Sequence, residues 1–249
     1  MKKIIALLLA AVMCMSVLTA CADAKDDETL VVGTNAAFPP FEYLGDDGKP
    51  DGFDIALINA VGEKIGMKVE VQDMEFDSLV TAIGSKIDVA IAGMTITEDR
   101  LKTVDFSEPY YDAVQYVLVP AGSKIAAAAD LENKKIGVQL GTTGNFIADE
   151  IAGATVQTYN KAVDAVNDMI NGRVDLVIID KNPALVFVSK YPEQVVALDG
   201  DQFGFEIEQY AIALPKGSDL AEKINKALAD LKADGTFDAL VAQYIEGEE

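Results

Sequence analysis

Residues 87–100, IDVAIAGMTITEDR, decide how this chain folds. Val89 to Ala92 is an apolar run of the length of a buried strand. Gly93 stops it, Met94-Thr95-Ile96 carries the chain onward, and Thr97 is a good helix N-cap. Glu98 and Asp99 fill the first turn, where acidic side chains complement the helix dipole, and Arg100 follows. A strand end, a glycine, free backbone N–H groups and one arginine within eight residues can receive a small carboxylate. An arginine on a short helix can equally pair with an acid on a solvated face, so the motif needs a counterpart elsewhere.

That counterpart lies further along. Residues 82–93 (AIGSKIDVAIAG) and 169–180 (MINGRVDLVIID) run in register: helix end, small turn, basic residue, β-branched residue, aspartate, apolar strand. Gly93 and Asp180 then occupy equivalent strand ends. Around the first copy we expect a strand at Leu30–Gly33, a loop over Asn35–Phe41 enforced by Pro39 and Pro40, and a helix over Asp54–Ile65 closed by Gly66. A strand at Met67–Val71, a helix at Phe76–Ser85 and the strand Asp88–Ala92 follow. Around the second copy we expect strands at Lys135–Gln139, Thr155–Thr158 and Val174–Ile179. Helices should run from Gly141-Thr142-Thr143-Gly144 towards Ile151 and over Lys161–Ile170. Strands alternating with helices predict an α/β chain of two lobes, each a central sheet flanked by helices. Two extended runs that end at prolines, Tyr116–Val119 and Gln209–Leu214, read as the strands crossing between lobes. The expected division is 29–112 with 211–249 as a discontinuous first lobe and 113–210 as the second. The tail helices, Asp219–Leu231 and Phe237–Tyr244, should pack on the first.

The N-terminus has the form of a secretory signal over residues 1–20: Lys2 and Lys3, an apolar Ile4–Val12, then Leu18-Thr19-Ala20-Cys21. Cys21 after Leu-Thr-Ala resembles a bacterial lipobox. It is the expected lipidation site, where acyl chains would hold the protein on the cell membrane. Residues 21–28 read as the tether of that anchor. Removing the signal takes away Cys14, so Cys21 remains alone, no internal disulfide is possible, and 229 of the 249 residues must fold by burial. The net charge of −21 argues against nucleic acid as a partner. Absence of histidine removes Ser-His-Asp and Cys-His catalysis and histidine zinc sites. The acidic stretch 45–52 (GDDGKPDG) does not follow calcium-loop spacing and reads as a hairpin turn. No cofactor, metal or catalytic residue is expected.

In open α/β sheets, ligands bind beyond the carboxyl ends of the strands. One face of the cleft would offer Gly93, Thr95 and Arg100; the other, Asp180 and the helix start at Gly141-Thr142-Thr143. Arg100 with the N–H groups of Thr142 and Thr143 suits a carboxylate, and Asp180 suits an ammonium. Capping of the helix by the threonines, and pairing of Asp180 with Lys181, are the structural alternatives. A zwitterionic head group needs both halves.

Six segments carry a resemblance from end to end: 32–35 through 41–43, 52–55, 93–100, 105–111 (DFSEPYY), 137–143 (GVQLGTT) and 174–180. In these the chain resembles the family 3 extracellular solute-binding proteins, the amino-acid receptors of ABC importers. The resemblance implies the type II periplasmic-binding fold and an extracytoplasmic monomer, attached to the membrane only by its lipid, that delivers an L-amino acid to a permease. It implies that Arg100 and the N–H groups of Thr95 and Thr143 hold the ligand carboxylate. Asp180, the Gly93 carbonyl and the Thr95 hydroxyl would hold the ammonium; Met94 and Thr142 complete the expected ligand-binding set. Phe38 and Phe76 would sandwich the side chain, and Asn35, Gln139 and Ile179 would read it. Relatives that bind basic amino acids often carry an acid where this chain has Asn35, so an uncharged side chain is expected. Two other functions fit the same fold: a dehydratase-like enzyme, which would need a general acid or base in the cleft, and a ligand sensor for a signalling receptor.

Overall fold

The structure is a computed structural model and describes residues 29–248. The signal, Cys21 and the tether lie outside the described residues. Strand β1 (Thr29–Thr34) leads into the short β2 (Ala37–Phe38) and the hairpin of β3 (Glu42–Leu44) with β4 (Pro50–Asp51). The hairpin closes through Gly45 N–H on the Lys49 carbonyl at 2.8 Å, which makes the acidic stretch a turn. Helix α1 (Phe53–Ile65) buries Ile55, Leu57, Ile58 and Val61 on one side and ends at Gly66, whose left-handed conformation a glycine adopts without cost. Strand β5 (Lys68–Asp73) follows.

The helix expected over 76–85 is shorter. A 3₁₀ turn at Phe76–Ser78 runs into α2 (Leu79–Ala82), and Ile83 leaves the helix in an extended conformation. Gly84, at φ 78°, then donates to the Ile87 carbonyl and tightens the turn. Strand β6 (Val89–Ala90) is likewise shorter than its apolar run, because the chain peels away towards Gly93 after Ile91 N–H meets the Gly33 carbonyl at 3.0 Å. Helix α3 (Glu98–Leu101) and β7 (Val104–Phe106) come next.

Strand β8 (Tyr111–Pro120) is longer than the expected Tyr116–Val119 and belongs mostly to a second sheet. That sheet adds β9 (Lys135–Gln139), α4 (Thr143–Glu150), β10 (Thr155–Tyr159), α5 (Ala162–Ile170) and β11 (Leu176–Asp180). It is completed by α6 (Lys181–Lys190) and β12 (Val195–Leu198), which sequence periodicity did not separate. The run 209–214 splits into β13 (Ile207–Tyr210) and β14 (Ala213–Pro215). Ala211 and Ile212 bend between them, held by the Met94 carbonyl and by Ser107. Helices α7 (Leu220–Ala233) and α8 (Thr236–Tyr244) end the described chain. They pack on α1 through Lys64–Asp234 at 2.6 Å and the edge-to-face pair Phe53–Phe237.

The fold is α/β with two lobes. The first sheet has the order β5-β1-β6-β14-β7, and the second β10-β9-β11-β8-β12. Strands joined by helices pair in parallel. The antiparallel members β8 and β14 are those that cross between lobes or return to the first. β8 and β13 form a two-stranded ribbon between the sheets, with Tyr111 opposite Tyr210. The repeated aspartates do the same job in each lobe. Asp88 accepts from Val31 N–H at 2.8 Å, and Asp175 accepts from Lys135 N–H at 2.8 Å. Each thereby pins the start of the third strand of its unit in chain order to the first. Among the described residues no helix is long and apolar enough to cross a membrane.

Candidate functional site

Between the lobes lies a cavity bounded by the β6–α3 turn and β1–β3 on one side and by β9, α4 and β11 on the other. Asn35, Phe38, Phe76, Gly93, Thr95, Arg100, Gln139, Thr142, Thr143 and Asp180 line it. Met94 does not. Its side chain is fully buried among Leu79, Ala90 and Val104, so its expected place in the site is corrected to the core. The alternation of the turn sends Thr95 to the cavity and Met94 inward. Ile179 is also core, facing away from the cavity on β11.

Arg100 is set by its own helix. The Thr97 hydroxyl accepts the Arg100 N–H at 3.2 Å, the N-cap bond that begins α3. Its guanidinium lies 5.4 Å from the Phe76 ring centroid and donates to the Thr95 carbonyl at 2.6 Å and to the Gly141 carbonyl at 2.9 Å. The second bond reaches from one lobe to the other. These two bonds use two of the five guanidinium N–H groups, which leaves donors for an anion in the cavity. Burial lowers the Arg100 pKa to about 10, against the opposing pull of Glu208 and Asp180, so the group stays charged at neutral pH.

Asp180 ends β11 and is only 7% exposed. The Tyr210 hydroxyl donates to its Oδ1, so the partner is a phenol rather than Lys181. Desolvation and then the charge of Glu208 raise its pKa to about 7, while the hydrogen bonds from Tyr210 and Gln115 act in the opposite direction. Gly93 comes close to two rings: a Cβ there would sit 3.0 Å from Phe38 and 3.3 Å from Tyr210, and its φ is +51°. Its N–H is held by Asp54 Oδ2 at 2.8 Å, as is the Tyr110 hydroxyl at 2.8 Å. At the far end, Gln139 Nε2 donates to Asn35 Oδ1 at 2.9 Å across the cleft, and Asn35 Nδ2 donates to the Met74 carbonyl at 2.7 Å. Thr142 caps α4 by accepting from Asn145 N–H.

Three residues went unread in the sequence. Glu42 and Ala92 line the cavity, and Glu208 accepts the hydroxyl protons of Thr95 and Thr143, each at 2.7 Å. Glu42 is 1% exposed, and burial first, then the charge of the adjacent Asp54 carboxyl and a hydrogen bond shared with it, lift its pKa well above the usual carboxylate range. Alternation across Phe41-Glu42-Tyr43 would have sent Glu42 to solvent. The same inversion occurs at Ile207-Glu208, where Ile207 is 74% exposed and the glutamate turns inward.

Two α/β lobes joined by a two-stranded ribbon, with Arg100 and Asp180 lining the cavity between them, have the architecture of a type II solute receptor. The chain belongs to the bacterial extracellular solute-binding proteins, family 3, whose model matches residues 30–247. It is 35% identical to the arginine-binding extracellular protein ArtP of Bacillus subtilis (strain 168), over all of both chains. It is 34% identical to the L-cystine-binding protein TcyJ of Escherichia coli (strain K12), over 88% of this chain and 84% of that one. Among solved structures, an ancestral arginine-binding protein bound to glutamine is 44% identical and superposes with a TM-score of 0.82. The match covers 87% of this chain and 97% of that one. The family is extracellular, and these relatives are named for binding rather than for catalysis.

Proposed function

We propose that this protein binds an L-amino acid with an uncharged side chain between its lobes, closes on it by a hinge motion and delivers it to an ABC permease. What carries the proposal is the cavity lined by Arg100 from one lobe and Asp180 from the other. Charge complementarity to a zwitterion follows, and charge-assisted bonds at both ends of the head group support micromolar affinity, about −8 kcal/mol. In this scheme Thr95 and Thr143 N–H groups join Arg100 at the carboxylate, and Phe38 and Phe76 flank the side chain. Asn35 and Gln139 offer amides, not charges, at its far end. The relatives are named for arginine and cystine, and one was solved with glutamine, so the amino-acid class has support while the side chain is the finer part of the proposal.

Closure would move the unit 29–112 with 211–249 against 113–210 about the β8–β13 ribbon, with ligand contacts favouring the closed state. The working unit would be a monomer held at the membrane by acylated Cys21. A thermal-shift screen over the twenty common L-amino acids and cystine tests the proposal, since a ligand that binds only the folded form raises its melting temperature. Stabilisation by a neutral amino acid such as glutamine supports it. Stabilisation by arginine or lysine alone overturns the side-chain preference, and no shift with any amino acid overturns the receptor assignment.

A further inference from the structure

We infer that Glu208 is a positioning residue for the cleft: from the hinge strand β13 it holds the Thr95 hydroxyl of one lobe and the Thr143 hydroxyl of the other. It thereby orients both and ties the closed arrangement together. One carboxylate oxygen, Oε2, accepts both hydroxyls, each at 2.7 Å. Gln115, on the other hinge strand β8, lies 3.1 Å from Thr143 Oγ1 and 3.5 Å from the same Glu208 oxygen. The four side chains thus form one network in which both crossing strands and both lobes take part.

The two threonine bonds differ in kind. The Thr95 turn is already fixed to β13 by backbone: Thr95 bridges Tyr210, and Ile96 N–H donates to the Gln209 carbonyl at 2.9 Å. Glu208 falls within residues 113–210 but on the ribbon about which the lobes would turn, and these backbone bonds tie it to the Thr95 turn, so the two travel together. Thr143 begins α4 and rides on the other lobe, so its bond to Glu208 exists only while the lobes are together. Bonds to an ionised acceptor are about twice as strong as neutral ones, which makes this contact a latch.

Orientation follows from proton counting. A threonine hydroxyl has one proton and two lone pairs. Thr95 gives its proton to Glu208 and so presents only lone pairs to the cavity it lines, the polarity an ammonium requires. Without Glu208 the hydroxyl is free to rotate and turn its proton towards the ligand cation. This inference rests on the amino-acid reading above.

The test is calorimetry and stopped-flow kinetics with L-glutamine, L-arginine and L-cystine on the wild type, Glu208→Ala, Glu208→Gln, Thr143→Val and the Glu208→Ala/Thr143→Val double variant. For any of the three that binds the wild type, Glu208→Ala is expected to weaken affinity by about tenfold, mostly through faster release, with Glu208→Gln intermediate. The double variant should be no weaker than the worse single one, because both remove the same latch. Affinity within twofold of wild type in Glu208→Ala and Glu208→Gln, or additive losses in the double variant, overturns the inference alone. A wild type that binds none of the three overturns the receptor reading and the latch with it. Glu208→Gln keeps the shape of the side chain and serves as the readout should the alanine variant fold poorly.

Discussion

Asp180 shows how much a single residue's surroundings decide. On sequence it was a carboxylate at the end of an apolar strand, and its need for a cation followed from burial alone. The fold adds what spacing could not: the Tyr210 hydroxyl as its partner, and, after burial, Glu208 as the neighbouring acid that opposes its ionisation. A pH dependence follows with opposite signs for folding and binding. Asp180 is raised to about 7 and Asp54 to about 6, above the unfolded carboxylate value of about 4. Their protonated forms stabilise the unliganded fold fully below about pH 4, and that contribution is lost as pH rises through about 6 and 7. An ammonium, in contrast, binds ionised Asp180. Amino-acid affinity is therefore expected to climb by up to about tenfold per pH unit from pH 5 and to level off above about 7, with proton release on binding. Calorimetry in buffers of different ionisation enthalpy measures both. A flat profile in the wild type, or an unchanged slope in Asp180→Asn, contradicts the assignment. Arg100, Glu208, Glu42 and Tyr210 are the other titratable groups facing this carboxyl.

At the scale of elements, legibility tracked how local the cause is. Strand Lys135–Gln139, the Gly66 stop and the Thr97 cap were readable because propensity, capping and periodicity all act within a few residues. The β8 strand was under-read because its first half owes its conformation to pairing with β13, about 95 residues away in sequence. Helix α6 was missed because Pro183 sits in its first turn, where proline is tolerated, and its apolar positions lack a clear stripe. The site followed the same rule. Gly93, Thr95 and Arg100 lie on one contiguous stretch and were found together, whereas Glu208 reaches the site only through the hinge strand. Short α3 depends on its cap: Thr97→Ala removes the hydroxyl that holds Arg100 N–H. It is expected to cost about 0.5–2 kcal/mol, seen as a fall of about 2–4 °C in melting temperature per kcal/mol. An unchanged melting temperature would show that α3 is held by other contacts.

For the whole molecule, two chemistries are divided between two bodies. Arg100 from one lobe and Asp180 from the other share one cavity, and the second carboxyl there, Glu42 on the same lobe as Arg100, is held towards its neutral form by burial. Attachment is a separate property: Cys21→Ser is expected to move the protein from the membrane to the soluble extracytoplasmic fraction with amino-acid binding intact. Retention of the variant on membranes would contradict the lipid anchor. The division of labour between lobes is tested most directly by isothermal titration of the wild type, Arg100→Ala and Asp180→Ala with the amino acid that stabilises the wild type most. Each single variant should lose about 3–5 kcal/mol of binding free energy, the range for stranding a buried charge. Near-wild-type affinity in both would contradict the central claim that this pair grips the two ends of an amino acid.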